Sequence, residues 1–239
     1  MKIYQVKPRL VFESHKQVYK FFDVCNECKE EVEAINSSIL KSEVDPISGY
    51  TIKIVEIIQS FDNYYIMKLA KGIEISRCLD KKTFNLAGCW LRIFHELSYN
   101  DQNNTVFSFG DFSISNLYVD HVSKEITAID PGTGFGKIGE IDDDISRFLV
   151  SLIQTKSINV VKLNRNIIEF FDGYGVKKIM YSNLEKHIKF RIFRNFQKRK
   201  FLKNGFKRYI SAYFWLLYSL TRYHLIHRNI KKNIINNDC

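Results

Sequence analysis

The segment FSFGDFSISNLYVDHVSKEITAIDPG, residues 107–132, contains two short runs in which apolar and polar residues alternate. The runs NLYVD and EITAID have the period of two that is typical of strands with one buried face. Asp111 and Asn116 precede the first run, and Asp130 ends the second run before a Pro-Gly pair. If the two strands pair as a hairpin, Asn116 and Asp130 lie at the same open end, and Asp111 faces them from the preceding loop.

These three side chains would bring two carboxylates and an amide oxygen into one small space. Hard oxygen ligands of this kind suit Mg²⁺, which also takes oxygens from the phosphates of a substrate. A carboxylate that is not bound to the metal can accept a proton from an attacking hydroxyl group. The segment therefore predicts a site for phosphate chemistry at the open end of a hairpin.

The first part of the chain predicts a small sheet with one helix. The runs IYQV, RLVFES and QVYKFF are typical of short strands, and TIKIVEIIQSF and NYYIMKLA predict a hairpin. Residues 26–40 change to helical spacing, with Val32, Ile35 and Ile39 on one face.

The later part of the chain is mainly helical. TVFSF is one more short strand, but residues 82–100 predict a helix, and from Asp142 onward helical spacing dominates. The apolar face of the helix over residues 82–100 comprises Leu86, Trp90, Ile93, Phe94 and Leu97. Because strands and helices are segregated along the chain, the fold class predicted is α+β. We place the boundary between a sheet-rich N-lobe, residues 1–71, and a helical C-lobe, residues 72–239, at Lys71-Gly72.

The net charge of +10 is concentrated at the C-terminal end. From Lys177 onward there are 16 Lys and Arg but only two acids, Glu185 and Asp238, whereas the preceding residues carry a net charge of −4. The composition is that of a globular chain rather than a disordered one. The N-terminus lacks an apolar core of signal-peptide length, so we expect the protein to be cytoplasmic.

The spacing of GDFSISN and the later IDPG resembles the catalytic segment of the aminoglycoside phosphotransferase and choline kinase-like superfamily. The motif of that superfamily is H-G-D-x-x-x-x-N, followed by a strand and I-D. The resemblance implies a bilobal protein kinase-like fold that uses ATP and Mg²⁺. It further implies that Asp111 is the catalytic base, that Asn116 is a metal ligand and that Asp130 is the main metal ligand.

The same resemblance assigns a nucleotide-binding role to Lys20, which lies within the otherwise apolar strand VYKFF. Its family counterpart is a strand lysine that holds the α- and β-phosphates and pairs with a helical glutamate. Of the neighbouring glutamates, Glu31 is the predicted partner, because Val32 and Ile35 then pack inward at the family's usual offsets.

Two further elements extend the resemblance to about residues 9–150. YYIMKLAKGIEI is similar to the hinge strand, where the backbone of Met67, Lys68 and Leu69 would bind adenine. Asp144, in DDISRFL, corresponds to a later family aspartate that braces the catalytic loop as structural support.

Three departures are visible. Phe109 replaces the usual histidine of the motif, and no G-x-G-x-x-G precedes Lys20. No A-P-E follows Asp130, which argues against a protein kinase.

The basic C-terminal segment has two interpretations. Cations interleaved with aromatic residues are typical of nucleic-acid binding and also of helices that lie on an anionic membrane surface. The frequency of large apolar residues favours the membrane, with part of the segment in the core of the helical lobe.

We therefore expect an ATP- and Mg²⁺-dependent phosphotransferase that acts on a hydroxyl of a small molecule, sugar or glycan. A membrane-bound substrate would make it similar to lipopolysaccharide-core or other glycan kinases, peripheral on the inner face of the membrane. The alternatives are a catalytically silent kinase-like binding module and a basic nucleic-acid-binding protein.

Overall fold

The computed structural model describes residues 2–6, 9–132, 134–175, 179–201 and 206–235. The chain divides into two compact units. The first unit consists of Met1–Cys78 with Ile93–Gly139, and the second consists of Leu79–Arg92 with Glu140–Cys239. The lobe boundary at residues 71 and 72 stays a prediction.

Among the described residues, the first unit contains the strands, one complete α-helix and the end of a second α-helix. Its strands are β1 (Lys2–Val6), β2 (Arg9–Ser14), β3 (Gln17–Phe21), β4 (Ser42–Val44), β5 (Thr51–Ile54), β6 (Ile57–Ser60), β7 (Tyr64–Lys68), β8 (Ile73–Glu74), β9 (Val106–Phe107), β10 (Leu117–Asp120), β11 (Glu125–Ala128) and β12 (Ile138–Gly139). Helix α1 spans Cys25–Asn36. The strands form a first sheet in the order β1-β2-β3-β7-β6 and a second in the order β4-β5-β11-β10-β8, and β12 pairs with β9.

The predicted strand pairings around the central segment are confirmed. β10 and β11 form an antiparallel hairpin in which Leu117 lies opposite Ala128. The side chains of β10 alternate between buried and partly exposed, as the sequence pattern requires. The three strands predicted at the start of the chain are also present as β1, β2 and β3.

The segment TIKIVEIIQSF was predicted as one strand of a hairpin, and this was wrong for its first half. The chain leaves the second sheet after Val55, whose N–H donates to Ala128 O at 2.9 Å. It then enters the first sheet as β6, which pairs with β7. β5 instead pairs in parallel with β11. Because Ile52 and Ile54 lie beside Ile126 and Ala128 in this register, the buried side chains of β5 share one face of the sheet with those of a strand distant in sequence.

Helix α1 ends earlier than its apolar pattern suggests. Val32 and Ile35 are buried as predicted, but Ile39 lies beyond the helix and is exposed. At the C-cap, the Ser37 N–H and hydroxyl both donate to Glu33 O, at 2.8 and 2.7 Å, and satisfy a carbonyl group of the last turn. The Nζ atom of Lys41 also donates to Ile35 O at 3.0 Å, where a cation complements the helix dipole.

The second unit is helical. It contains the first part of α2 (Lys81–Ser98) together with α3 (Ile141–Ile153), α4 (Val160–Tyr174), α5 (Tyr181–Phe201) and α6 (Phe206–Ile235). Phe148 of α3 stacks on Phe170 of α4 with ring centroids 4.3 Å apart. Where α2 and α4 cross, a Cβ on Gly88 would lie 2.1 Å from Phe170 O, so the two backbones touch and only glycine fits.

The α+β class is confirmed, with strands in the N-terminal part of the chain and helices in the C-terminal part. Of the face predicted for α2, only Leu97, in the last turn, is exposed rather than buried. Within the described residues, no helix has the length and apolar character needed to cross a bilayer.

Candidate functional site

The site residues Lys20, Glu31, Asp111, Asn116 and Asp130 all belong to the first unit. Their positions follow from three elements: strand β3, helix α1 and the ends of the β10–β11 hairpin. The five residues occur in the sequence in the order that the motifs require. In the structure, direct contacts connect them to one another.

Asn116 joins the loop before β10 to the residue after β11. Its backbone carbonyl accepts a hydrogen bond from Ile129 N at 2.8 Å, which extends the hairpin by one pair. Its Nδ2 donates to Asp111 O at 2.9 Å and lies 3.3 Å from Asp111 Oδ2 and 3.4 Å from Asp130 O. With Nδ2 committed to these oxygens, Oδ1 is the atom that this buried side chain can offer to a cation.

Lys20 lies in β3 and is 2% exposed. Its Nζ donates to Glu31 Oε1 at 2.5 Å and also contacts Asp130 Oδ1. A buried ammonium group is costly unless carboxylates compensate its charge, and two carboxylates from different elements do so here. The predicted pairing of Lys20 with Glu31 is therefore present, and the same ammonium group also links β3 to the end of the hairpin.

The Glu31 carboxylate has a second donor that the sequence analysis missed. The Tyr65 hydroxyl donates to Glu31 Oε1 at 2.7 Å, and Tyr65 is fully buried in β7. In the β3–β7 register, Tyr65 lies directly opposite Lys20. The alternation of YYIMK indicates that Tyr65 points inward, but only the register with β3 shows that its hydroxyl reaches the ion pair.

Two glycines bring the loop of Asp111 against the loop that follows Asp130. Gly110 has a φ of +86°, a conformation that glycine adopts without strain. A Cβ on Gly132 would lie 2.8 Å from Asp111 N and 2.8 Å from Gly110 C, so a larger residue would push the loops apart. The N–H of Gly132 also donates to Phe109 O at 3.2 Å.

Phe109, which replaces the motif histidine, is part of an aromatic cluster beneath these loops. Its fully buried ring lies 5.5 Å from the Phe135 ring, 5.7 Å from Phe112 and 6.1 Å from Phe94, in edge-on arrangements that aromatic pairs prefer. The residue therefore supports the loop by packing.

Asp130 has a φ of +49°, in the left-handed region that few non-glycine residues adopt. Backbone strain of this kind persists where the surroundings fix it and is concentrated at functional sites. The contact with Lys20 and the neighbouring Asn116 supply such surroundings. The left-handed conformation at the end of the hairpin coincides with the contact between the Asp130 carboxylate and Lys20 Nζ.

The donor set at the hairpin end fits a hard divalent cation. The carboxylate of Asp130 is 41% exposed, and Asp111 is also exposed, so both can reach a ligand from solvent. Together with Asn116 Oδ1 they offer only oxygen atoms, which Mg²⁺ prefers. Asn116 and Asp130 are thus placed to hold such an ion, and their assignment as ligands stays a prediction.

The predicted adenine-binding segment lies at the end of β7. Met67 is buried, and Lys68 and Leu69 are exposed. The N–H of Lys68 donates to Glu56 O at 3.0 Å and that of Leu69 to Lys16 O at 3.2 Å. If adenine accepted a hydrogen bond from either N–H, that N–H would have to give up its present bond to the protein backbone. The adenine role of these three residues stays a prediction.

Asp144 belongs to α3 of the second unit and is fully buried. Its predicted supporting role stays a prediction. Next to it, Asp142 is buried, and its Oδ1 has no hydrogen-bond partner among the described residues. Burial raises the pKa of the Asp142 carboxyl from 3.8 to about 7, although the nearby His187 opposes this shift.

No protein-family model matches the chain, and neither does any curated protein. Solved structures do match it over most of its length. Amicoumacin kinase, solved with AMP-PNP, Ca²⁺ and Ami, matches over 92% of this chain and 88% of its own, with a TM-score of 0.62 and 11% identity.

Two other solved structures are similar to the same extent. The ADP-bound aminoglycoside phosphotransferase APH(2'')-Ib matches over 91% of this chain and 92% of its own, with a TM-score of 0.57 and 13% identity. An ethanolamine kinase of Plasmodium vivax matches over 95% of this chain and 83% of its own, with a TM-score of 0.55 and 11% identity.

At this level of identity the comparisons establish the fold. The chain has the kinase-like fold found in aminoglycoside phosphotransferases and ethanolamine kinase, so the resemblance to their superfamily is confirmed as a likeness of fold. The narrower resemblance to lipopolysaccharide-core or other glycan kinases stays a prediction.

Proposed function

We propose that the protein is an ATP-dependent phosphotransferase whose acceptor is the hydroxyl group of a small molecule, sugar or glycan. The observation that carries the proposal is the contact of Lys20 with both Glu31 and Asp130, next to Asn116 and Asp111. A left-handed aspartate beside a buried lysine is typical of active sites and ligand clamps. The kinase activities named for the structural neighbours also support a phosphotransferase.

On the nucleotide side, Lys20 supplies a fixed positive charge for the phosphates of ATP. Glu31 holds the ammonium group and Tyr65 holds the Glu31 carboxylate, so this charge is positioned before the nucleotide binds. Mg²⁺, held by Asn116 and Asp130, would add positive charge against the β- and γ-phosphates. The protein thereby stabilises charge and fixes position, which are the main contributions in phosphoryl transfer.

On the acceptor side, Asp111 orients the attacking hydroxyl and takes its proton. The acceptor oxygen forms a bond to the γ-phosphorus, the bond from that phosphorus to the bridging oxygen breaks, and ADP leaves. Asn116 Nδ2 lies 3.3 Å from Asp111 Oδ2, which restricts the carboxylate while it remains exposed to the acceptor. Asp111 is therefore the proposed catalytic base.

The finer proposal concerns the acceptor and its location. We propose a cytoplasmic enzyme that is peripheral on the inner face of the membrane, with a sugar or glycan acceptor held there. The support is the basic, aromatic-rich segment from Lys177 onward, which carries 16 Lys and Arg against two acids.

Calorimetry of ATP binding in the presence of Mg²⁺ tests the nucleotide site. We expect binding by the wild type and a loss of at least about tenfold in affinity for Asp130→Asn, because one metal-ligand charge is removed. Asp62→Asn, at a carboxylate that is 86% exposed in the same unit, is the matched control and keeps its affinity. Absence of Mg²⁺-dependent ATP binding in the wild type would overturn the proposed function.

Asp111→Asn separates catalysis from nucleotide binding. We expect phosphoryl transfer from ATP, measured with a panel of hydroxyl acceptors and with water, to fall by about 10²–10⁴-fold. ATP affinity should stay within about threefold, since Asp111 is not assigned to the nucleotide. Unchanged turnover in this variant would remove Asp111 from the mechanism. A wild type that binds ATP without transferring phosphate to any acceptor or to water would indicate the silent binding module.

A further inference from the structure

Helix α6 has two largely apolar faces, and the part of the chain that the structure describes covers only one of them. The covered face is formed by residues that are all buried, namely Ala212, Ser219, Tyr223, Ile226, Ile230 and Ile234. The opposite face carries large apolar side chains at helical spacing, Ile210, Phe214, Leu217 and Leu225, followed by Arg228 and Lys232. We call these last six residues the α6 outer face.

The exposure of the α6 outer face is large. Phe214 is 69% exposed, Leu217 is 59% exposed and Leu225 is 55% exposed. Single exposed apolar residues need no explanation, but a row of them along one helix face marks an interaction surface. On the neighbouring helix α5, Phe190 and Phe193 are also exposed.

The charge of the two helices restricts the kind of partner. The sequence of α6 contains no acidic residue, and the one acid of α5, Glu185, accepts an ion pair from Lys189 at 2.8 Å. Arg228 and Lys232 on the outer face and Arg194 on α5 are exposed. Among the described residues, the electrostatic potential of this surface is therefore positive and attracts an anionic partner.

We infer that the α6 outer face is a docking surface for an anionic lipid membrane. Phe214, Leu217 and Leu225 would enter the boundary between headgroups and acyl chains, and Arg228 and Lys232 would stay with the lipid phosphates. Each such cation near an anionic surface strengthens binding. The inference rests on the proposed membrane association but not on the proposed kinase activity.

Two other partners fit the surface less well. A second copy of the chain, related by a two-fold axis, would bring its own cations to the interface and would supply no acidic residue of α6 to neutralise them. A nucleic acid would meet the cations but would leave the aliphatic side chains of Ile210, Leu217 and Leu225 without a partner. An anionic lipid membrane offers acyl chains to the apolar side chains and phosphates to the cations.

Co-sedimentation with lipid vesicles tests the inference. We expect the full-length protein to bind mixed phosphatidylcholine–phosphatidylglycerol vesicles and to bind pure phosphatidylcholine vesicles only weakly. The double variant Phe214→Ser/Leu217→Ser should lose at least about tenfold in affinity, because two apolar side chains no longer enter the lipid. The control variant Ile47→Ser/Val122→Ser, at positions that are 80% and 95% exposed in the first unit, should bind as the wild type does.

A second pair of variants tests the charges. Arg228→Gln/Lys232→Gln should weaken binding to the mixed vesicles by about fivefold for each lost cation. Lys29→Gln/Lys162→Gln removes the same charge from exposed positions elsewhere and should have little effect. Circular dichroism checks that every variant is folded, which is expected because all eight positions are exposed.

Several outcomes would overturn the inference. These are equal binding to neutral and mixed vesicles, unchanged binding by Phe214→Ser/Leu217→Ser, or a wild-type dimer that this variant abolishes. Binding of a single-stranded RNA oligonucleotide that depends on Arg228 and Lys232, with no binding to vesicles, would also overturn it. Calorimetry with ATP is measured separately, so loss of the proposed kinase function and loss of the docking surface give different results.

Discussion

The buried ion pair of Lys20 and Glu31 is the residue-scale feature on which the candidate site depends. Removing Lys20 would leave the buried carboxylate of Glu31 uncompensated, which costs about 3–5 kcal/mol. Disrupting the pair is therefore costly, and its two side chains keep a fixed position. The hydroxyl of Tyr65 extends the pair to a network of three side chains by donating to Glu31. A network of this kind positions the ammonium group rather than adding stability to the fold.

Tyr65→Phe tests the positioning role of this hydroxyl. The variant removes one hydrogen bond to a charged group, a contact worth about 1.5–3 kcal/mol, without creating a cavity. We expect the KM for ATP to rise several-fold, because Lys20 is held less firmly, while the KM for the acceptor stays the same. Steady-state kinetics, with the ATP concentration and then the acceptor concentration varied, measure the two KM values separately.

Tyr64→Phe is the matched control for this prediction. It lies on the same strand, where its ring stacks on Phe61 at 4.2 Å and on Phe21 at 4.8 Å, and both contacts survive the loss of the hydroxyl. If Tyr65→Phe changed only thermal stability and left the KM for ATP unaltered, its role would be structural.

At the same scale, the sequence was sufficient to predict that Asp111, Asn116 and Asp130 lie close together, but not that Tyr65 contacts the Glu31 carboxylate. The three polar residues stand out because they flank strands at a fixed spacing, which is a local signal. Tyr65 is one buried aromatic residue among many, and its partner lies on a helix that is distant in sequence. Its contribution depends on the register of β3 with β7, which periodicity does not encode.

At the scale of elements, strand pairings between neighbouring segments were also predictable from the sequence, whereas pairings between distant segments were not. The β10–β11 hairpin was predictable because both strands and the turn between them are contiguous. The parallel pairing of β5 with β11 was not, because the run TIKIVEIIQSF looks like one strand unless the position of Ala128 is known. The end of α1 was missed because Ile39 continues the apolar spacing beyond the helix, although its side chain is exposed.

Helix α3 provides a pH-dependent prediction. Burial raises the pKa of Asp142 from 3.8 to about 7, so the folded state keeps a proton that the unfolded state releases. The contribution of that proton to the free energy of unfolding is present in full below about pH 4. It is lost as the pH rises through about 7. Asp142→Asn carries no charge to desolvate and should be more stable than the wild type at about pH 8, with a smaller difference at about pH 5.

Thermal unfolding at several pH values measures this effect. Asp62→Asn, at an exposed carboxylate, serves as the control and should follow the wild type at every pH. Parallel curves for Asp142→Asn and the wild type would show that the Asp142 carboxyl is solvated in the folded protein.

At the scale of the whole molecule, all five residues that carry the proposed chemistry belong to the first unit. A ligand that binds the folded state alone stabilises it by mass action, by about 2.7 kcal/mol at a concentration of 100 times Kd. We therefore expect ATP with Mg²⁺ to raise the Tm by about 5–10 °C, given about 2–4 °C per kcal/mol for a chain of this size.

ATP with a chelator is the comparison for this measurement. It should give a smaller shift, because Asn116 and Asp130 then have no cation to share with the phosphates. An equal shift with and without the chelator would mean that nucleotide binding does not use the hairpin end as a metal site.

The parallel pairing of β5 with β11 also sets an order for folding during synthesis. The first sheet uses no residue beyond Lys68, so its strands can pair while most of the chain is still on the ribosome. The second sheet has β11 at its centre and cannot close until Ala128 has been released. β5 must wait for that partner, because distant pairings form late. β4 can pair with one edge of β5 at once, but during this interval the other edge of the strand that carries Ile52 and Ile54 has no partner. An unpaired edge of this kind exposes the nascent chain to chaperones and to aggregation.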